Sequence, residues 1–161
     1  MEKETIIIVA IAKNYAIGKD NKIPWHISED FKRFKRLTTG HPVIMGKNTY
    51  LSLPIKPLPG RTNIVLTFPD DSWKEEGITI KNSLNEAIDY AHTIDNQVYI
   101  IGGASIYKQA MEQNLADKLE ITQLDKEYEG DTFFPEINTN TWTIVAEEKK
   151  DGYSFITYLR K

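Results

Sequence analysis

Apolar positions along the chain fall in short runs that alternate with amphipathic stretches. Ile6–Ala12 is continuous in apolar residues, the pattern of a central strand covered on both faces. Glu29–Thr38 follows a helical period, with Ser28 as its expected cap and Phe31, Phe34 and Leu37 turned inward. Pro42–Met45 predicts a short strand that runs into Gly46-Lys47-Asn48-Thr49, the opening of a second helix. Asn63–Thr67 is another buried strand, and Ile78–Ile80 a shorter one. Ser83-Leu84-Asn85-Glu86 fits the S-x-x-E capping box, and its helix continues through Ala87, Ile88 and Ala91. Gln97–Ile101 reads as a strand, Gly102-Gly103 as a tight turn, and Ser105–Asn114 as a helix with Ile106, Ala110 and Met111 on related faces. The last third is β throughout: Leu119–Leu124, Trp142–Glu147 and Tyr153–Leu159, with a hairpin around Asp151-Gly152. Strand–helix alternation implies parallel crossovers. The expected fold is therefore α/β: a central mixed, mostly parallel twisted sheet, helices on both faces, and a C-terminal antiparallel hairpin.

With 161 residues, the chain is the usual size of one domain, expected over 1–161. No repeat or linker divides it. The run Ile6–Ala12 has seven residues, far short of the ~20 needed to cross a bilayer. The start Met1–Glu4 has two acids and one lysine and lacks the basic flank of a secretory signal. A cytoplasmic protein is expected. The net charge of −3 gives no global field for nucleic acid or anionic membrane, so any bound phosphate must be held by local groups. Cysteine is absent, which excludes disulfides and thiolate chemistry. The histidines at 26, 41 and 92 lack metal-ligand spacing, and no metal is expected.

Three features carry candidate chemistry. Asp30 shares a helical face with Phe34 and Leu37, since residues four and seven apart stack along a helix. A carboxylate in that row is either a solvated helix-start acid favoured by the macrodipole or a buried group that awaits a partner. The second feature is a pair of strand-to-helix junctions, Val43–Thr49 and Ile100–Ser105. Their glycines allow close ligand approach, and helix-start N–H groups suit phosphate oxygens. Neither is a known fingerprint. Gly40…Gly46-Lys47 has one residue too many for a P-loop, and Gly102-Gly103-Ala104-Ser105 lacks the G-x-G-x-x-G spacing. The third is Leu58-Pro59-Gly60-Arg61, a loop stiffened by Pro54, Pro57 and Pro59, where Arg61 could present its planar fork to a carboxylate.

The order of these segments along the chain resembles a known family. Ile17-Gly18…Ile23-Pro24-Trp25, Asp30…Phe34 and Pro42-Val43-Ile44-Met45-Gly46-Lys47-Asn48-Thr49 are similar to the start of bacterial dihydrofolate reductases. So are Pro57–Ile64, Ile101-Gly102-Gly103-Ala104-Ser105-Ile106-Tyr107 and Glu129-Gly130-Asp131-Thr132-Phe133-Phe134-Pro135. The resemblance is colinear over nearly the whole chain, and the family's fold agrees with the pattern above.

That resemblance implies NADPH-dependent reduction of 7,8-dihydrofolate to tetrahydrofolate, a step feeding one-carbon metabolism and an antifolate target. Asp30 would be the ionisable group of the pterin pocket, with Trp25 and Thr122 as its catalytic companions. Ile8, Ala10, Phe34, Leu53 and Leu58 would surround the pterin and aminobenzoyl rings, and Arg61 would pair with the glutamate tail. The nicotinamide would sit beside Ala10, Ile17, Gly18 and Ile101, with Tyr107 nearby. Gly46, Lys47, Asn48, Thr49, Leu66 and Thr67 would meet the adenosine and its phosphates, together with Gly102, Gly103, Ala104, Ser105 and Ile106. Gly18–Trp25 matches a loop that closes over the cofactor. Lys47 stands where arginine is common in the family and Ser105 where it sometimes occurs, and Phe68 replaces a polar residue often found after Thr67. NADPH is expected over NADH, on the positive potential of Lys47, Thr67 and the helix starts. The partner is a small-molecule substrate, with neither nucleic acid nor membrane. A monomer is expected, and the chain ends soon after its last strand, with no fused thymidylate synthase domain. Two other readings compete: a pyrimidine reductase of riboflavin synthesis, against which Trp25, Asp30 and Pro57–Arg61 argue, and a non-catalytic nucleotide- or folate-binding module.

Overall fold

A computed structural model describes residues 2–20 and 22–161. Ten strands and four helices follow in chain order: β1 (Glu4–Ile11), β2 (Ala16–Gly18), α1 (Ser28–Thr38), β3 (Val43–Gly46), α2 (Lys47–Ser52), β4 (Asn63–Leu66), β5 (Thr79–Lys81), α3 (Leu84–His92), β6 (Gln97–Gly102), α4 (Ala104–Glu112), β7 (Lys118–Leu124), β8 (Thr132–Phe133), β9 (Trp142–Lys149) and β10 (Tyr153–Arg160). Eight strands form one sheet in the order β5-β4-β3-β6-β1-β7-β10-β9. From β5 to β7 all neighbours are parallel, and β10 and β9 are antiparallel. The mixed sheet and its terminal hairpin are those the apolar pattern predicts.

The central strands read as unbroken apolar runs because helices cover both faces. Ile7, Ile44, Ile64, Ile100, Leu119 and Ile121 point to one side and pack with α3 and α4 through Ala87, Ala91, Ile106 and Ala110. Ile6, Ile8, Val43, Met45, Val65 and Tyr99 point to the other, against Phe34 and Leu37 of α1 and Tyr50 of α2. At the far edge β9 is exposed after Trp142. Charges at Glu147, Glu148 and Lys149 keep that edge from pairing with another chain.

Two details of the helices differ from expectation. Ser28 does not cap α1: the cap position is Ile27, no side chain bonds the first turn, and the Ser28 hydroxyl instead lies 3.4 Å from His26 Nε2. Phe31 is not inward but 49% exposed. The residues that α1 buries are Arg33 and Thr38, because the sheet beneath offers Glu120 as a partner for the guanidinium. At α3 the expected cap forms, with Ser83 Oγ accepting from the Glu86 N–H at 3.1 Å.

A second, two-stranded sheet of β2 and β8 is absent from the apolar pattern, since three- and two-residue strands carry no readable period. The Phe134 N–H donates to the Tyr15 carbonyl and the Asp131 N–H to the Gly18 carbonyl, at 2.9 and 3.0 Å. Asp131 Oδ2 accepts from the Asp20 N–H at 2.9 Å, and Lys19 pairs with Glu129 at 2.7 Å. The segment entering the expected closing loop is thus fastened to 129–134. Of that loop, Asn21 lies outside the described residues.

Two outcomes test this account. Ser83→Ala should lower stability to urea by about 1 kcal/mol, whereas Ser28→Ala should stay within ~0.5 kcal/mol of the parent. A Cβ at Gly130 would lie 2.9 Å from both the Ala16 Cβ and the Gly18 carbonyl oxygen. Gly130→Ala should therefore part β2 from β8. The Asp131 and Phe134 amides should then exchange with solvent at least roughly tenfold faster, with the central strands unaffected.

Candidate active site

The topology makes one crevice. After β1 the chain crosses by α1 to β3, on one side of the neighbouring β6. After β6 it crosses by α4 to β7, on the far side of β1. Adjacent parallel strands whose connections leave in opposite directions open a cleft at their carboxyl ends, where α/β sheets bind ligands. Here those ends are Ala10–Ile11 of β1 and Ile101–Gly102 of β6, with Gly46 of β3 next in line.

Asp30 stands on the α1 side of this cleft. Its Oδ1 accepts a hydrogen bond from the hydroxyl of Thr122 at 2.5 Å. Thr122 is buried in β7 and lies opposite Ala10 of β1. Burial is the leading influence on Asp30 and raises its pKa, while the Thr122 hydroxyl and the Arg33 charge pull it down. This is the outcome for a half-buried carboxylate whose donors fall short of replacing water. Beside it one apolar cluster takes in Ile8, Phe34, Leu53, Leu58 and Ile101. The structure thus brings Asp30 and Thr122 into contact and gathers Ile8, Phe34, Leu53 and Leu58 of the expected ring-binding residues in one cluster, while Ala10 lies outside it, opposite Thr122 on β1.

On the other side of the cleft the two glycine junctions meet. A Cβ on Gly103 would lie 3.2 Å from Thr49 Oγ1, and one on Gly102 would lie 3.4 Å from the Tyr107 hydroxyl and 3.6 Å from Thr49 Oγ1. Gly102 has φ +133, a conformation suited to glycine. The expected tight turn is the end of β6 followed by Gly103 as the cap position of α4, joined by a cis peptide. No side chain caps α4, so the first-turn N–H groups of Ala104, Ser105 and Ile106 are left for another acceptor. Tyr107 is buried and donates its hydroxyl to the Ile8 carbonyl at 2.9 Å, tying α4 to β1. Ile17 packs against the α4 side of the core, with Gly18 next to it at the end of β2.

At the outer end, buried Asn63 shapes the Leu58–Arg61 loop. It accepts from the Leu58 N–H and donates to the Leu58 and Arg61 carbonyls, at 2.9 to 3.0 Å. Arg61 Nε donates to the Pro59 carbonyl and Nη1 to Thr38 Oγ1, at 2.9 and 3.1 Å. Among the described residues no carboxylate pairs with it. Its charge is aimed by neutral acceptors and stays available.

Lys47 is different, and here the expected positive potential is corrected. Its ammonium pairs with Asp71 Oδ2 at 2.8 Å and lies 5.0 Å from the Trp73 ring centre. Thr67 Oγ1 donates to the same Asp71 oxygen at 2.7 Å. Lys47 foremost, then Thr67 and the Trp73 N–H, hold the Asp71 carboxyl down to about 2. Lys47 and Thr67 are therefore satisfied by an internal anion. Leu66 ends the buried strand beside them, and Asn48 is exposed. Trp25 packs on Tyr128, with ring centres 5.1 Å apart, and lines a surface hollow with His26, Lys126 and Tyr153. Among the described residues no hydrogen bond joins it to Asp30.

Four side chains that shape the cleft escaped the sequence reading: Asn63, Asp71, Arg33 and Glu120. The last was legible, since Leu119-Glu120-Ile121-Thr122 alternates apolar and polar and puts Glu120 on the Thr122 face. For Asp71, in an irregular loop, no sequence signal exists.

The cleft has recognisable relatives. The family model "Dihydrofolate reductase" matches residues 4–160. The chain is 45% identical to the dihydrofolate reductase of Neisseria gonorrhoeae, over 96% of this chain and 97% of that protein. It is 38% identical to the dihydrofolate reductase of Bacillus subtilis, over 96% and 93%. Among solved structures, dihydrofolate reductase from Enterococcus faecalis complexed with NADP(H) and RAB-propyl superposes with a TM-score of 0.85 at 33% identity, over 98% of this chain and 96% of that one. The chain belongs to the dihydrofolate reductase family.

Proposed function

We propose that the chain reduces 7,8-dihydrofolate to tetrahydrofolate with NADPH, the pterin lying against Asp30 and Thr122 and the cofactor along the glycine junctions. The observation that carries this reading is the Asp30–Thr122 pair: a carboxylate with a raised pKa, half-buried on α1 against the hydroxyl of Thr122 near the carboxyl end of β7. Bound NADPH supplies the hydride. The Gly102–Ile106 backbone, Asn48 and Thr49 suit its phosphates, because the bare glycines admit close approach and the uncapped α4 start offers donors. Ala10, Ile17, Gly18, Ile101 and Tyr107 border the same part of the cleft, with Gly46 at the adjoining strand end.

The residues of the chain supply position and electrostatics. Asp30 accepts hydrogen bonds from the 2-amino group and a ring nitrogen of the pterin and favours the protonated substrate. Thr122 fixes the carboxylate's orientation. Ile8, Phe34, Leu53 and Leu58 bury the ring system and exclude water. Arg61, held by Pro59 and Thr38, keeps donors free for the glutamate carboxylate. Trp25 belongs to the loop between β2 and α1 and acts by shielding the cleft. Lys47, Leu66, Thr67, Ala104, Ser105 and Ile106 form the adenosine side, where NADPH is preferred over NADH. Among the described residues no helix is long and apolar enough to cross a membrane. The reading further takes the chain as one domain over 1–161, a cytoplasmic monomer with no nucleic-acid or membrane partner, an extent that agrees with the family match over 4–160.

The decisive measurement is loss of NADPH absorbance with dihydrofolate, and no turnover with either nicotinamide cofactor would end this reading. Asp30→Asn keeps the shape but loses the charge. Single-turnover hydride transfer near neutral pH should fall on the order of 10²-fold, with partial recovery in acid. Folding should be spared, since burial disfavours the charge that is removed. Arg61→Lys should weaken dihydrofolate binding by roughly 1–3 kcal/mol. A pterin without the glutamate should be indifferent to the change, and equal losses for both substrates would show the arginine to be structural.

A further inference from the structure

Residues three apart on α1 face residues two apart on β7. Asp30 meets Thr122 at 2.5 Å, and one turn along Arg33 Nη2 meets Glu120 Oε1 at 3.3 Å, with the two side chains 10% and 9% exposed. The surroundings hold this second pair in place. Thr157, the cross-strand partner of Glu120, donates to the same Oε1. The guanidinium lies 4.5 Å over the ring of Phe155, the cross-strand partner of Thr122. Lys118 Nζ approaches Glu120 Oε2 at 4.0 Å.

On a helix, residues three apart are ion-pair neighbours. An arginine at 33 therefore has the reach to close on the Asp30 carboxylate, yet its carboxylate partner among the described residues is Glu120. The groups felt at Asp30 from each neighbouring element are few. They are Arg33 on its own helix, Thr122 on β7, and the phenols of Tyr107 on α4 and Tyr153 on β10, whose ionisation Asp30 opposes; Glu120 reaches Asp30 only through Arg33. Tyr153 in turn is bound to Glu29, which also pairs with Lys150. Arg33 is the cation that acts directly on Asp30. A free guanidinium there would lock the carboxylate in a salt bridge and compete with the ring nitrogens of the substrate.

We propose that Glu120 is a positioning residue for the reaction: it draws Arg33 along the sheet and neutralises it there, which leaves Asp30 to Thr122 and the substrate. This rests on the reading of Asp30 as the group that binds the pterin. Stability is a poor explanation for the pair, because desolvation of two ions offsets much of their attraction. Placement of charge beside an acid explains why the cation and its partner are both there.

Glu120→Gln keeps the shape and an acceptor for Thr157 but leaves Arg33 unneutralised. In the intact protein, the Asp30 carboxyl is titrated by carbon NMR, and single-turnover hydride transfer is followed across pH. An opposite charge nearby lowers a carboxyl pKa, so the Asp30 titration should move down by roughly one pH unit. The alkaline limb of hydride transfer should move with it, a roughly tenfold loss on that limb, with KM for NADPH unchanged. The double variant Arg33→Met/Glu120→Gln removes both charges and should undo the downward move, with titration and limb at or above the parent's. It replaces a buried pair with neutral groups, which a core tolerates, so it remains informative if Glu120→Gln does not fold. An Asp30 titration unmoved in Glu120→Gln, or still lowered in the double variant, overturns the proposal. Asp30→Asn separates the two ways of failing. If it leaves the alkaline limb in place, the reading of Asp30 itself is wrong. If it abolishes the limb while Glu120→Gln does not move it, the positioning role alone is wrong.

Discussion

When α1 packs on the sheet, Asp30 loses part of its hydration and receives one hydroxyl in return, from Thr122. A carboxylate in that position has a raised affinity for protons and for donors such as ring nitrogens. Much of the neighbouring architecture preserves this state. The ring cluster of Ile8, Phe34, Leu53 and Leu58 keeps the surroundings apolar. Glu120 occupies the guanidinium of Arg33, the charge that acts on Asp30 among the described residues. Thr122 sits in a parallel strand paired along its length with β1, so the hydroxyl cannot drift from the acid it serves.

The opposite wall of the cleft works by removing side chains. Gly102 and Gly103 lie so near Thr49 and Tyr107 that a Cβ would crowd both. The result is backbone without cover at the ends of β3 and β6, beside a helix start with unpaired N–H groups. Side-chain charge contributes less than the sequence suggested, because Asp71 already satisfies Lys47 and Thr67. Discrimination for a cofactor phosphate must therefore work against, or by displacing, an internal carboxylate.

Period and order along the chain made the central sheet legible, because parallel strands buried on both faces are apolar throughout and amphipathic helices are not. Asp30 and the two glycine junctions were legible from helical spacing and strand-to-helix chemistry, Thr122 only through the family resemblance; in space Asp30 meets Thr122 and the two junctions meet each other. What escaped had a common cause. Ser28 looked like a cap, but the cap position depends on where α1 begins, which packing sets at Ile27. Phe31 looked inward by period, yet Arg33 took the buried place because Glu120, 87 positions away in sequence, was there to receive it. Asp71 and Asn63 act from loops through bonds to distant or irregular segments. The paired strands β2 and β8 are too short for any period to show.

Three ion pairs illustrate how the same attraction serves different ends at different depths. Lys19–Glu129 joins the β2 end to the 129–134 segment with side chains 40% and 84% exposed, where water and salt screen it and its worth is small. The backbone bonds beside it do the fastening. Lys47–Asp71, 30% and 25% exposed, is open enough for a charged ligand to compete for either partner, so it tunes a local field and does not remove it. Arg33–Glu120 is out of solvent on both sides and cannot exchange partners without moving α1 from the sheet. Its effect on Asp30 is therefore fixed by the fold itself.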